Sequence, residues 1–568
     1  MRFSLVSRRF TRQNPGRRFP LVRRTLPQLL LAIFACTGTA AAQIDVALSP
    51  FPVLQIPAAY QTFGDGSGGA WGVFQGATPG AGLYAQHVLA NGNLAARFTP
   101  AGLLVANSGT LVNGMSAAPD GIGGALIQWF GVNPRDSTSQ FPALRCQHLD
   151  PQGLNQFADS GLVVSSIATA ALVLGDGLGG VYVAWEELKG PSNPDIVAQR
   201  FDNSGTALWT PSGSPTGRNV CAVVGIQRLR AIQDDGAGGA FVVWADSRTS
   251  STTPLYSMRL TPAGPALAPW PTNGLRVTPV TSGIRIVGSG ASPGSGLWLA
   301  WRDIGGPNQF LAQHIAPDAS LSFPVNGAIV ATVTPARAEF VAASAGDVFV
   351  TWGGTDIRCA RINAAGTRIW AELDGRIMVA PPTSLGIVHA ATDGAGGQRL
   401  AWSYDNSGQS DVNILDVNAG GAPLAGWPAL GQPFATTTLV EEPVAWLRPE
   451  TTTPALTWLA GGKLYVRLPQ GALGVGPGLA AGRLGLSPPY PNPLRGQALS
   501  LRFAAPPGPA RLELFDAAGR RVLTRALYSN GGSQSLSLAA AAELAPGVYS
   551  LRLTAAGQSA TQRLVRVE

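Results

Sequence analysis

The sequence predicts an all-β chain: an eight-bladed β-propeller, with seven blades as the alternative, followed by a small β-sandwich. Three observations carry this. A segment near 55 residues long recurs eight times along the chain. Each copy holds enough short apolar runs for four strands. After the last copy the pattern changes to apolar–polar alternation with short turns.

The repeat is clearest at DGAGGAFVVWAD, residues 235–246, and returns as DGSGGAWGVF (65–74), DGIGGALIQW (120–129), DGLGGVYVAW (176–185) and DGAGGQRLAW (393–402). Looser copies are SPGSGLWLAW (292–301) and the runs ending at Trp352 and Trp458. The closing aromatics are Phe74, Trp129, Trp185, Trp244, Trp301, Trp352, Trp402 and Trp458, spaced 55, 56, 59, 57, 51, 50 and 56 residues apart. Asp-Gly and Gly-Gly supply the positive φ angles of a tight hairpin. Each hairpin leads into an apolar strand. A further strand follows the aromatic: LYAQHV (83–88), LRCQHL (144–149), IVAQRF (196–201), LYSMRL (255–260), FLAQHI (310–315) and IRCARI (357–362). One strand precedes each Asp-Gly and one closes each unit. A lone four-stranded sheet cannot bury both faces, but sheets packed radially around an axis can. Solenoids use shorter repeats. The eighth unit lacks a fourth strand, whereas residues 44–55 form an orphan strand ahead of the first. That N-terminal strand is expected to complete the last blade.

Residues 473–486, rich in Gly, Ala and Leu, read as a linker between a propeller at 43–472 and a sandwich at 487–568. The sandwich contains Pro489-Tyr490-Pro491-Asn492-Pro493, then LFDAAGRRV, then LAPGVYSLRL, then a terminal strand Arg563–Val567. These motifs, in this order, resemble the C-terminal sorting domain of type IX secretion cargo. The immunoglobulin-like domain of flagellar hook-capping proteins shares much of the pattern. The resemblance covers residues 488–568. It implies an immunoglobulin-like β-sandwich, the type IX secretion machinery as a partner, and passage across the outer membrane. The family commonly ends in lysines, where this chain has Arg563 and Arg566. An ordinary spacer or adhesive sandwich is the alternative.

Residues 1–42 read as a signal peptide: eight arginines, an apolar run Leu29–Ala35, and Ala40-Ala41-Ala42 as an A-x-A cleavage site. The apolar run is short for a bilayer, and no other segment is a membrane candidate, so no transmembrane segment is expected after cleavage. The segment around Cys36 loosely resembles a lipoprotein box, and the arginine pairs hint at twin-arginine export. Cleavage leaves Cys146, Cys221 and Cys359, an odd and sparse set expected as buried apolar residues rather than a disulfide framework.

The eight N-terminal arginines equal the whole formal charge of +8. Ten arginines against four acids give residues 483–568 a charge of +6, so residues 43–482 carry −6. A nucleic-acid partner would require a basic stripe on the main domain, and none is expected. With 45% hydrophobic residues, the chain is not a disordered one.

No catalytic, cofactor-binding or metal residue is assigned. His87, His148 and His314 share one repeat position with Arg200, Arg259, Arg361 and Arg467, which suggests a polar strand face. The recurring Asp65, Asp120, Asp176, Asp235 and Asp393 are expected to cap their own hairpins, one carboxylate per turn being too few for calcium. Glu186, Asp246 and Asp303 follow the closing aromatic and lie on one rim. They allow a glycosidase or sialidase-like reading, although no sialidase Asp box and no arginine triad is assigned. FDNSGTALW (201–209) and INAAGTRIW (362–370) resemble the docking repeat of quinoprotein dehydrogenases, with Trp209 and Trp370 filling the gap between sheets. The resulting expectation is a non-enzymatic, secreted or cell-surface binding protein with no cofactor and an extracellular ligand, glycan or protein. A carbohydrate-active enzyme or quinoprotein-like propeller is the rival.

Overall fold

The computed structural model describes residues 43–566 except 54–58, 78–81, 107–110, 132–141, 191–192, 213, 215, 249–251, 280–283, 292–295, 304–308, 334, 344–346, 364, 381–384, 407–408, 436–440, 448–454, 470–483, 487–498, 507, 530–533 and 539–543. The signal peptide, most of the expected linker, the Pro489–Pro493 motif and the first four residues of the fifth repeat therefore lie outside the described residues.

The described residues of the repeat region hold eight antiparallel sheets, seven of four strands and one, the fourth, of five because two short strands, Gly264–Pro265 and Leu275–Arg276, both pair with its third, and no helix. The third blade is typical. Its first strand, Ala168–Gly175, pairs with Val181–Leu188, which pairs with Pro194–Phe201 and then Arg218–Cys221. The first strands touch from blade to blade and so line the axis. The Gln61 side chain accepts from the Ala117 amide, and Gln233 Nε2 donates to Ser289 Oγ at 3.0 Å.

Packing is cyclic. Trp71 and Val73 of the first blade share a core with Trp129 of the second. One cluster links the second and third blades, one the third to fifth, one the fifth and sixth, one the sixth and seventh, and one the seventh and eighth. Phe74 and Val88 then meet Leu464 and Val466 of the eighth. The ring is closed by the N-terminus: Gln43–Ala47 pairs with Lys463–Pro469, Asp45 facing Arg467. Beyond it, the Leu48 and Val53 amides donate to the carbonyls of Leu464 and Gly462, both at 2.9 Å.

Two glycine-dependent contacts repeat. The closing tryptophans of the second to seventh blades each lie over a glycine ahead of the fourth strand. A Cβ at Gly274 would sit 2.3 Å from the Trp244 ring, and one at Gly431 2.4 Å from Trp402. The second contact is between blades. Phe98, Phe157 and Phe323 pack against Gly153, Gly205 and Gly366 of the following blade. Trp209 and Trp270 donate their indole N–H to Pro262 and Pro317 of the following blade. The docking pattern legible at Trp209 and Trp370 thus recurs with Phe in place of Trp, and with the aromatic four or six residues past the turn. This variation hid it in the sequence.

The C-terminal region forms two sheets. Gly485–Leu486, Leu499–Ala504 and Gln534–Leu538 make one; Arg521–Ser529, Gly508–Phe515, Gly547–Ala555 and Gln558–Arg566 make the other. Their inner faces share a core that includes Leu501, Phe503, Leu512, Leu514, Leu551, Leu553 and Leu564. Leu486, at the end of the expected linker, belongs to this core.

Candidate functional site: the mouth of the ring axis

The conspicuous charges of the repeat are spent on holding the ring. In each Asp-Gly turn one carboxylate oxygen accepts two amides. Asp120 Oδ1 accepts from Ile122 and Gly124, both at 2.8 Å, and Asp65, Asp176, Asp235 and Asp393 do the same in their turns. The other oxygen reaches the third strand of the same blade. Asp120 Oδ2 meets His148 Nε2 at 2.8 Å, Asp65 meets His87 at 3.1 Å, and Asp176 and Asp235 meet Arg200 and Arg259 at 2.7 Å. His87 and His148 are only 1% and 2% exposed, so the expected polar strand face is instead a row of buried pairs. A buried carboxylate needs such a partner.

Other blades vary the theme. The sixth uses Asp347 with Arg361 at 2.7 Å, and the seventh reverses the pair, with Arg399 on the second strand and Asp416 on the third. His314 Nδ1 lies 2.8 Å from Ser322 Oγ, and burial lowers its pKa. Arg467 is out of register with the rest: it faces Leu456 and pairs with Asp45 of the closing strand.

The post-aromatic carboxylates are also bound within the blades. Glu187, rather than Glu186, is the equivalent of Asp246, two residues past its tryptophan. Glu187 accepts the Trp185 indole N–H at 3.0 Å and the Ser214 hydroxyl at 2.9 Å; Asp246 accepts the Trp244 N–H at 2.8 Å and Arg248 at 2.6 Å. Burial pushes the thiols of Cys146, Cys221 and Cys359 up to about 12, and all three are free.

Side chains that break the repeat gather instead on the first strands, near their entry ends. Register identifies the level. The closing aromatics Phe74, Trp244, Trp301, Trp352, Trp402 and Trp458 face Tyr60, Leu229, Ile286, Ala338, Val388 and Pro443. One residue earlier stand Arg228, Arg285 and Arg337 on three consecutive blades, all exposed, and Glu442 on the eighth. The same level on the first three blades carries Ala59, Gly114 and Ala170. Motif reading passed over these positions because each is ordinary in its own strand. Only the ring assembles them.

The groups here act on one another across the axis. Arg337 donates to Glu339 Oε1 at 2.6 Å, and His389 Nδ1 lies 3.5 Å from the same oxygen. Burial first, and the Arg337 charge with it, push the His389 imidazole down to about 3, so the ring is neutral and its contact with Glu339 is not an ion pair. Burial raises the Glu339 carboxyl, against the pull of Arg337. Burial and the negative charge of Glu442 raise Tyr60, while Arg337, from the sixth blade, acts on it in the opposite sense. On the basic side, Arg228 meets Glu186 at 2.7 Å, and Glu186 also accepts the Leu229 amide at 2.8 Å. Arg230, in a bulge beside Arg228, is lowered chiefly by desolvation. The mouth is therefore polarised, with arginines on the fourth to sixth blades and Glu339, His389, Glu442 and Tyr60 on the sixth, seventh, eighth and first. Perturbed titratable groups gathered in one recess mark a candidate functional site.

Among the described residues, no group of three or more His, Cys, Asp or Glu could hold a metal ion, and no helix is long and apolar enough to cross a membrane. No curated protein matches the chain in sequence. Solved structures share the all-β architecture at low identity. One is PorZ, described as an essential surface component of the type-IX secretion system of Porphyromonas gingivalis, at 12% identity over 90% of this chain and 70% of that one, TM-score 0.33. A polysaccharide lyase, Uly1, aligns at 7% identity over 75% of this chain and 98% of its own, TM-score 0.39. The Aleuria aurantia lectin aligns at 11% over 57% and 98%, TM-score 0.30. At such TM-scores the likeness bears on neither activity nor ligand. The family match is confined to the tail: residues 489–568 fit the secretion system C-terminal sorting domain, which marks this chain as one delivered by the type IX system to the extracellular space or cell surface.

Proposed function

We propose that the chain is a non-enzymatic binding protein displayed at the cell surface, with residues 1–42 removed as a signal, a ring at 43–472, a linker from 473 that ends before Gly485, and a sorting sandwich from there to 568. The observation that supports this reading is the division of labour among charged side chains. The Asp, His and Arg side chains that recur in the turns and third strands are buried in pairs that brace the blades, whereas the exposed arginines of the first strands, on three blades only, stand with unlike groups around the mouth of the axis. A rigid ring with one irregular, polar recess suits ligand capture.

The experiment is a glycan array together with a panel of polysaccharide substrates, using the full-length secreted protein. Retention of a ligand without turnover is expected, and turnover of any glycan overturns the non-enzymatic reading. Export is tested by expression with and without residues 487–568 in a host carrying the type IX machinery. Loss of surface delivery on deletion is expected; equal delivery of both forms refutes the sorting role.

A second reading, a carbohydrate-active enzyme, draws on Glu339, whose carboxyl burial raises in the direction that suits a general acid. In that case Glu339→Gln would abolish turnover.

A further inference from the structure

We infer that the axial mouth recognises a sugar chain bearing oxyanions, carboxylate or sulfate, with the anionic group seated between Arg228, Arg285 and Arg337. The inference rests on the binding-protein reading above and names its ligand class.

The three arginines occupy one repeat position on three consecutive blades, so the closed ring sets them at one height and turns them about one axis. At the same level across the ring, Ala59 and Gly114 on the first and second blades carry nothing larger than a methyl group, Glu442 stands on the eighth blade and Ile387 on the seventh, and Ala170 on the third adjoins Arg228. Planar guanidinium groups match carboxylate and sulfate oxygens in a bidentate way.

The charge balance points to a ligand. Arg228 and Arg337 each have an acid beside them, Glu186 and Glu339. Among the described residues no ion pair involves Arg285. Its cross-strand neighbour is another cation, Arg302, directly opposite in the ladder. Like charges at such positions cost stability. The arrangement sits in a region whose net charge is −6, so general electrostatics did not dictate it. An incoming oxyanion would neutralise that pair. The −6 charge of residues 43–482 disfavours duplex nucleic acid, which needs a broad basic surface. Away from Arg228 and Arg285, Glu442, His389 and Tyr60 on the eighth, seventh and first blades offer acceptors and a ring edge for hydroxyl groups, and Glu339 stands beside Arg337. An anionic sugar carries both kinds of group within one residue.

The test measures binding of the full-length protein to an oligogalacturonate, a sulfated oligosaccharide and a neutral oligosaccharide of similar length, by calorimetry at two salt concentrations. One or both anionic chains should bind, more weakly at higher salt, and the neutral chain should not. Arg285→Gln should weaken binding roughly 10–100-fold with the melting temperature unchanged or raised, because it relieves the like-charge pair. The carboxylate and sulfate arms separate the two sources of the anion. Equal affinity for the neutral chain, binding indifferent to Arg285→Gln, equal binding of duplex DNA, or no anionic binding at millimolar ligand each overturns the inference. Capture of a neutral glycan or a protein insensitive to Arg285→Gln would sink this ligand class while leaving the binding-protein reading intact. Degradation of the anionic chain would sink the non-enzymatic reading while leaving the site.

Discussion

At the scale of single residues, the turn aspartates join two jobs that the sequence displays as one. The Asp-Gly-x-Gly-Gly spacing states the turn, because Oδ1 must reach the amides two and four residues on. The second job, pairing with a histidine or arginine on the third strand, lies 22–28 residues away in chain and was not legible there. It follows from burial: Asp120 is fully buried and His148 nearly so. Asp120→Ala removes three hydrogen bonds and leaves the imidazole without its partner. A loss of about 3 kcal/mol in urea unfolding is expected; a loss under about 1 kcal/mol would mean that the pair contributes little. His389 supports a prediction in pH. Its imidazole is neutral in the fold down to about pH 3, whereas the unfolded chain takes up that proton near its ordinary value of 6.5. The unfolded state therefore binds more protons between about pH 6.5 and 3, and stability falls as pH drops through that window, by at most about 1.4 kcal/mol per pH unit from this group. His389→Gln should flatten the slope of unfolding free energy in that window, and an unchanged slope would show that His389 titrates normally.

At the scale of elements, the strands follow closely from apolar periodicity, and the third strands fall where the sequence places them: Leu83–Val88, Pro194–Phe201 and Phe310–Ile315 among them. The element with the largest mechanical consequence is the N-terminal strand, expected over residues 44–55 and formed by Gln43–Ala47. Gln43–Ala47 supplies the fourth strand of the eighth blade and ties residues more than 400 positions apart. Arg467 binds both oxygens of Asp45 and stacks on Phe434 at 4.5 Å. Deleting residues 43–47 leaves an open ladder on Lys463–Pro469 and unlatches the ring. The melting temperature should fall by roughly 5–10 °C, with partial recovery on adding a peptide of residues 43–53. An unchanged melting temperature would mean that packing of the first and eighth blades suffices for closure.

At the scale of the whole molecule, the ring converts repetition into asymmetry. Repeat-equivalent side chains on third strands are held apart on different blades, so His87 and His148 serve separate turns. Equivalent positions on first strands stand around the axis, where differing side chains can meet one ligand, as proposed for Arg228, Arg285 and Arg337. A single closed axis is therefore the place where differences between copies can add up to a site, and the sorting sandwich, with a core of its own, is built from separate residues.

The chain alone specified the repeat, the strand order within a blade, the capped turns and the sorting motifs, because each depends on neighbours within about 30 residues and on simple apolar periodicity. It also marked the orphan strand, since a missing fourth strand at one end and a spare one at the other are both visible locally. The buried Asp–His and Asp–Arg pairs, the interblade aromatic contacts in Phe form, and the placing of three arginines at one level of neighbouring first strands came only with folding. Their partners lie on different strands or blades, and the burial and convergence that give them meaning do not exist until the circle closes.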